Sequence, residues 1–203
     1  PDKTIPEQWC PQIYARILKK HKVILVTTYL DHELVRKANM IPASTPDEAL
    51  AIAYEMKGPD AKVVVIPDGV AVLALDEENR ALVVWQYRYV FGRVMAELPA
   101  GKLDPGEDPV TGALRELKEE TGAEPGTLLP LGRMIPAPGC YGETLHLFLA
   151  RDLTFGPQHL DADEFLNVER VPFDELVHRC VNGEIDDGKT VAAVLRAKVL
   201  LNL

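Results

Sequence analysis

Residues Gly101–Ala123 read GKLDPGEDPVTGALRELKEETGA. Asp108-Pro109 supplies a helix cap and first turn, and Gly122 a stop, so a helix is predicted over Pro109–Thr121. At about 100° per residue, Val110, Leu114, Leu117 and Thr121 fall on one stripe, expected to face a core. Glu116 and Glu120 are spaced i, i+4 on a neighbouring face, and Glu119 stands at its edge. Like charges at that spacing repel. The crowding is tolerable on a solvated face or around a positive group, and hard divalent cations take carboxylate oxygens. Arg115 is placed to pair with Glu119.

Outward from this helix, the chain alternates strand and helix signals. On the N-terminal side, Val94–Leu98 is a short strand. Val70–Leu75 and Ala81–Tyr87 form a hairpin-like pair across Asp76–Asn79. Further upstream, apolar spacing at Trp9, Ile13 and Ile17 predicts a helix over Pro11–Lys20. A strand follows at Lys22–Thr27, and a helix at Asp31–Ala38. Another helix runs from the Thr45 cap, with Glu48 three residues on, to Lys57, and a strand lies at Lys62–Ile66. The turn signal Pro67-Asp68-Gly69 divides this small α/β unit, residues 1–66, from residues 67–203. On the C-terminal side, strands are expected at Thr127–Ile135, Thr144–Ala150 and Asn167–Val171, then helices at Phe173–Asn182 and Gly188–Leu203.

The spacing of Gly101, Glu107 and Arg115-Glu116-Leu117-Lys118-Glu119-Glu120-Thr121-Gly122-Ala123 fills all nine specified positions of a known box. Composition alone leaves a solvated acidic face open; the full spacing does not. The segment resembles the Nudix box, and the resemblance extends over roughly Gly69–Leu203. It implies an α/β fold, a mixed-sheet α/β/α sandwich, here preceded by the small α/β unit. It also implies Mg²⁺ or Mn²⁺ as cofactor, held by Glu116 and Glu120, with Glu119 as a further or water-mediated ligand and the Ala100 carbonyl beside them. Glu107 and Arg115 become supports, and Glu119 and Arg115 join the catalytic set. A general base outside the box is expected in the acidic loop Leu160–Leu166, with Glu164 preferred over Asp163 and Asp161.

Gln86-Tyr87-Arg88 and Glu97–Leu103 resemble the ADP-ribose pyrophosphatase branch, as does Pro138 about fifteen residues past the box. The resemblance implies ADP-ribose hydrolysed to AMP and ribose 5-phosphate. Arg88 becomes a phosphate clamp, Glu97 a ribose or metal contact, and Pro138 a specificity residue. The alternatives are another diphosphate, such as a dinucleotide or oxidised nucleotide, or a sensor module without catalysis. A sensor predicts a damaged box or a basic DNA-binding domain, and the sequence shows neither. The N-terminal third resembles the C-terminal end of nickel-dependent lactate racemase-like proteins, without a catalytic motif to carry over. A structural or interface role in a homodimer is expected of it.

Bulk properties agree with these expectations. A net charge of −9 argues against nucleic-acid and anionic-membrane binding. It does not exclude the small nucleotide partner that the resemblance implies, because bound metal ions reverse the sign of a site locally. Cys10, Cys140 and Cys180 are scattered and odd in number, so reduced thiols in a cytoplasmic protein are expected. No apolar run approaches a membrane span.

Overall fold

The computed structural model describes residues 9–63, 67–138, 142–160 and 165–201. They divide into two compact units, Pro1–Val64 and Val65–Leu203. The first holds α1 (Trp9–Lys20), β1 (Ile24–Val26), α2 (His32–Lys37), β2 (Ile41–Ala43) and α3 (Pro46–Lys57). The β-branched run of β1 pairs in parallel with β2, Ile24 opposite Ile41. Thr45 caps α3 by accepting from the Glu48 N–H at 3.1 Å, and the Glu48 carboxylate accepts from the Ser44 N–H at 2.7 Å.

The order is therefore helix, strand, helix, strand, helix, with β2 unforeseen. Pro42 in a three-residue run argues against a strand, and only an edge position tolerates it. Lys62 and Val63 of the strand expected at Lys62–Ile66 are not in a strand, and 64–66 lie outside the described residues.

The second unit contains β3 (Gly69–Ala74), β4 (Arg80–Arg88), β5 (Arg93–Glu97), β6 (Ala100–Lys102), α4 (Pro109–Thr121), β7 (Ala123–Met134), β8 (Leu145–Phe155), β9 (Leu166–Pro172), α5 (Phe173–Val181) and α6 (Gly188–Leu201). One sheet has the order β6-β3-β8-β7, with β3 and β8 parallel and the other pairs antiparallel. The other, β5-β4-β9, is antiparallel throughout.

The period-2 alternation of β3 explains the layers. Ala71 and Leu73 join a core with Leu176 of α5 and Ala193, Val194 and Ala197 of α6. Val70, Val72 and Ala74 join a second core with Ala113 and Leu117 of α4. Helices thus cover both faces of a mixed sheet, the expected α/β/α arrangement. Complete burial of Leu73, Leu117 and Leu149 contributes about 1.5–3 kcal/mol each.

The helix α4 spans Pro109–Thr121, as its caps predict. Asp108 accepts from the Val110 N–H at 2.9 Å, and Gly122 closes the helix at φ +71°. A Cβ on Gly122 would stand 2.2 Å from the Gly156 carbonyl oxygen, so close packing also demands glycine. The buried face differs from the expected stripe. Val110 and Leu114 are exposed, whereas Gly112, Ala113, Glu116, Leu117, Glu120 and Thr121 are buried. The helix is rotated toward its acids. Gly112 permits this, because a Cβ there would lie 2.4 Å from the Leu103 side chain.

Candidate active site

The rotation of α4 turns Glu116 and Glu120 into a cleft of about 730 Å³ in the second unit. Asp104, Glu116, Glu119, Glu120, Glu143 and Asp187 line it, against Arg88, Lys102, Arg115 and Lys189. Acids outnumber bases, and two of the acids are buried, Glu116 at 8% and Glu120 at 3% exposed. Buried carboxylates are costly unless paired or ligated.

The loop–strand segment before α4 holds these carboxylates in place. The Ala100 N–H donates to Glu120 Oε2 at 3.1 Å. Gly101 lies against Glu116 so closely that a Cβ would fall 2.0 Å from its carboxyl carbon. Both residues sit on β6, another element the sequence reading missed, because Ala-Gly-Lys carries no strand propensity of its own.

Arg115 organises the acids. Its Nε and Nη2 donate to the two oxygens of Glu107, each at 2.9 Å. Nη2 also donates to the Lys102 carbonyl at 3.0 Å. Nη1 donates to Glu116 Oε1 at 2.8 Å and to Glu119 Oε2 at 3.0 Å. The Arg115 hydrogen bonds, with the Asp104 N–H, bring the Glu107 pKa down to about 2. The same partners, Glu107 foremost, raise the pKa of Arg115.

A second charged group faces this acid box. Arg88, at the end of β4, gives Nε and Nη2 to Glu97 at 2.6 and 2.8 Å. Glu97, at the end of β5, is 2% exposed and also accepts from Lys189 at the start of α6. Burial pushes the Glu97 pKa up, but the Arg88 hydrogen bond and the nearby Lys189 outweigh it and hold the carboxyl below its ordinary value. Lys189 also meets Asp187 at 3.0 Å.

Of the residues expected in the site, Arg88, Ala100, Arg115, Glu116, Glu119 and Glu120 line one cleft. Glu97 stands behind Arg88 and off the wall. Pro138 is exposed and off the wall, whereas Pro136 lines it. Asp161, Asp163 and Glu164 lie outside the described residues. Glu143, Asp187 and Lys189 were not foreseen. A signal for Asp187 was present in Asp187-Gly188-Lys189-Thr190, an aspartate immediately before a helix with a hydroxyl three residues on. Cys180 is a free, buried thiol whose pKa burial raises to about 11, so it is inert.

The donor set fits a divalent cation in kind. Three carboxylates of one helix supply hard oxygens, and the missing side chain of Gly101 makes room for the Glu116 carboxylate. Among the described residues, no three acidic, cysteine or histidine side chains are already gathered at ligand spacing. Arg115 instead bonds to both Glu116 and Glu119.

A mixed sheet between helices, with a carboxylate-rich helix facing a cleft, defines a class, and sequence similarity agrees with it. The NUDIX domain profile matches residues 65–194, and the chain belongs to that family. It is an enzyme of the Nudix pyrophosphatase class, and Nudix hydrolases generally use a divalent metal. It is 37% identical over 140 residues to the ADP-ribose pyrophosphatase of Bacillus subtilis (strain 168), covering 68% of this chain and 76% of that protein. The crystal structure of an ADP compounds hydrolase superposes with a TM-score of 0.61 at 22% identity, covering 66% of this chain and 72% of the other, and supports the fold. The lactate racemase C-terminal domain profile matches residues 1–74. A lactate racemase of Lactiplantibacillus plantarum is 51% identical over 71 residues, covering 35% of this chain and only 17% of that enzyme. Among the described residues, no helix is long and apolar enough to cross a membrane.

Proposed function

We propose that this chain hydrolyses the pyrophosphate bond of ADP-ribose, releasing AMP and ribose 5-phosphate, with Mg²⁺ or Mn²⁺ as cofactor. The observation that carries the reading is the polarity of the cleft. One wall presents Glu116, Glu119 and Glu120, and the same cleft holds Arg88 and Lys189. Acids alone would repel a diphosphate, and the Arg88 guanidinium, backed by Lys189, together with a bound cation supplies the opposite charge. Similarity to the Bacillus subtilis enzyme and the Gln86–Arg88 and Glu97–Leu103 segments favour ADP-ribose over other diphosphates.

Glu116 and Glu120 would hold the cation, with Glu119 and the Ala100 carbonyl beside them. When bound, the ion neutralises the diphosphate and makes water more acidic. Arg115 keeps Glu107 ionised and aims Glu119. Arg88 binds phosphoryl oxygens, and Glu164 takes the proton of the attacking water. A panel of ADP-ribose, dinucleotides and nucleoside triphosphates, assayed with Mg²⁺ and Mn²⁺ for released AMP and ribose 5-phosphate, tests the substrate. Much faster turnover of another diphosphate would overturn the ADP-ribose reading while leaving the family intact.

The same reading takes the chain to be cytoplasmic and residues 1–66 to be a separate domain, joined near Pro67–Gly69, that contributes to a homodimer. Light scattering of the full chain and of a chain beginning near Ile66 tests that. A monomeric full chain, with the shortened one equally stable and active, would end it.

A further inference from the structure

Two arginines line the cleft, and the structure uses them differently. A guanidinium has five N–H donors and two edges that can each make a pair of parallel hydrogen bonds. Arg115 directs its donors to four protein groups: Glu107, Glu116, Glu119 and the Lys102 carbonyl. Arg88 gives only its Nε–Nη2 edge, to Glu97 at 2.6 and 2.8 Å. Among the described residues, no acceptor engages Arg88 Nη1. Its second edge remains on a side chain that is 40% exposed and lines the cleft.

What keeps that edge available is the arrangement behind it. Asp187 also lines the cleft and attracts Arg88 electrostatically. Left alone, its carboxylate would compete for the open edge. Both of its oxygens are instead engaged. Oδ2 accepts from the Thr190 N–H at 3.1 Å and the Thr190 hydroxyl at 2.6 Å, capping α6. Oδ1 faces Lys189 Nζ at 3.0 Å. Lys189 also donates to Glu97, the carboxylate that grips the inner edge of Arg88. Thr190 Oγ1 accepts from the Leu98 N–H at 2.9 Å, which ties the start of α6 to the residue after Glu97.

We propose that Lys189 and Glu97 are positioning residues for Arg88, which together hold its outer edge open as a two-point clamp for one phosphoryl group of a diphosphate. The proposal rests on the diphosphate reading above and deepens it. Lys189 does two things at once: it shares Glu97 Oε2 with Arg88 Nη2, and it withholds Asp187 from the clamp. Neither act touches substrate, so the effect of Lys189 should exist only while Arg88 is present.

That dependence is measurable by a double-mutant cycle on the full chain. The ligand is the α,β-methylene analogue of ADP-ribose, which keeps both phosphorus atoms but cannot be cleaved between them. Lys189→Met should weaken its binding about tenfold, the scale of one charge-assisted hydrogen bond. Lys189→Arg should restore most of the loss. In an Arg88→Ala background, Lys189→Met should add less than about twofold. Binding by Lys189→Met as tight as by the wild type would overturn the proposal. So would an undiminished tenfold loss in the Arg88→Ala background. If Lys189→Met does not fold, the near-isosteric Glu97→Gln takes its place in the cycle, with the same two outcomes. A wild-type chain that fails to bind the analogue overturns the ADP-ribose reading separately. The cycle is then run with inorganic pyrophosphate, where the presence or absence of coupling decides the role of Lys189 by the same criteria.

Discussion

In the unit Val65–Leu203, all six residues of β3 are buried; in the unit Pro1–Val64, the twelve-residue α3 buries none. The contrast extends to the other elements. Two apolar cores lie on the two faces of the β3 sheet. In the smaller unit, Val35, Pro42 and Ala43 are the buried apolar side chains among the described residues, while Tyr29, Leu30 and Leu34 stand exposed. Charge follows the same division. Glu97, Glu116 and Glu120, the buried acids among the described residues, all belong to the larger unit. Only a dense interior can hold a carboxylate out of water and dictate its partners. A small unit has too little core to do so. Chemistry that depends on aimed charge is therefore expected in the larger unit alone, and the smaller one offers surface.

The largest expected effect tests that division directly. Glu120→Gln keeps shape and removes charge, so kcat should fall by about 10³-fold or more, with the fold retained by circular dichroism. Turnover within tenfold of wild type would remove Glu120 from the site. Gly101→Ala comes next. Its new Cβ would meet the Glu116 carboxyl carbon at 2.0 Å. A displacement of that carboxylate of about 1 Å should cost on the order of 10²-fold in kcat. An unchanged rate would show that Glu116 can move without consequence.

These two predictions rest on residues that were legible in the sequence, and the reason is local. Asp108-Pro109 and Gly122 mark both ends of α4 through turn chemistry that needs no tertiary partner. The acids are legible because their spacing is helical. The helix face was misjudged at Val110 and Leu114, because apolar periodicity cannot show that a helix turns its acids inward. Strands β2 and β6 escaped because three residues containing Pro42 or Gly101 become strands only when a neighbour pairs with them. Lys189 escaped because its partner Glu97 lies 92 positions away. Sequence spacing carries no record of such a meeting.

A smaller effect concerns pH. The Glu107 carboxyl is held at about 2, against an ordinary value of 4.5. A depressed folded-state pKa contributes stability above the unfolded-state value, and the contribution is lost as pH falls through the folded-state one. The gap in thermal midpoint between wild type and Glu107→Gln should therefore be constant above pH 4.5 and close as pH falls from there toward 2. A gap that widens in acid would reverse the assignment of Arg115 as the group that holds Glu107. The smallest effect belongs to the other unit. Tyr29 is 97% exposed, so Tyr29→Ser should change stability by no more than about 0.5 kcal/mol in denaturant titration. A loss of several times that would show that this face is covered in solution, and would make the contrast between the units one of assembly.

Gly101 and Gly122 have a consequence for anyone who would move this chemistry elsewhere. Neither contributes an oxygen or a proton. One is where the backbone comes up against Glu116, and the other is where the end of α4 comes up against Gly156. Copying Arg115, Glu116, Glu119 and Glu120 onto the surface of a foreign helix would transfer the charges and leave out this clearance. The graft would be an acidic patch open to water. The sequence pattern is in that sense partly a record of empty space, and a designer would have to build the gap before installing the acids.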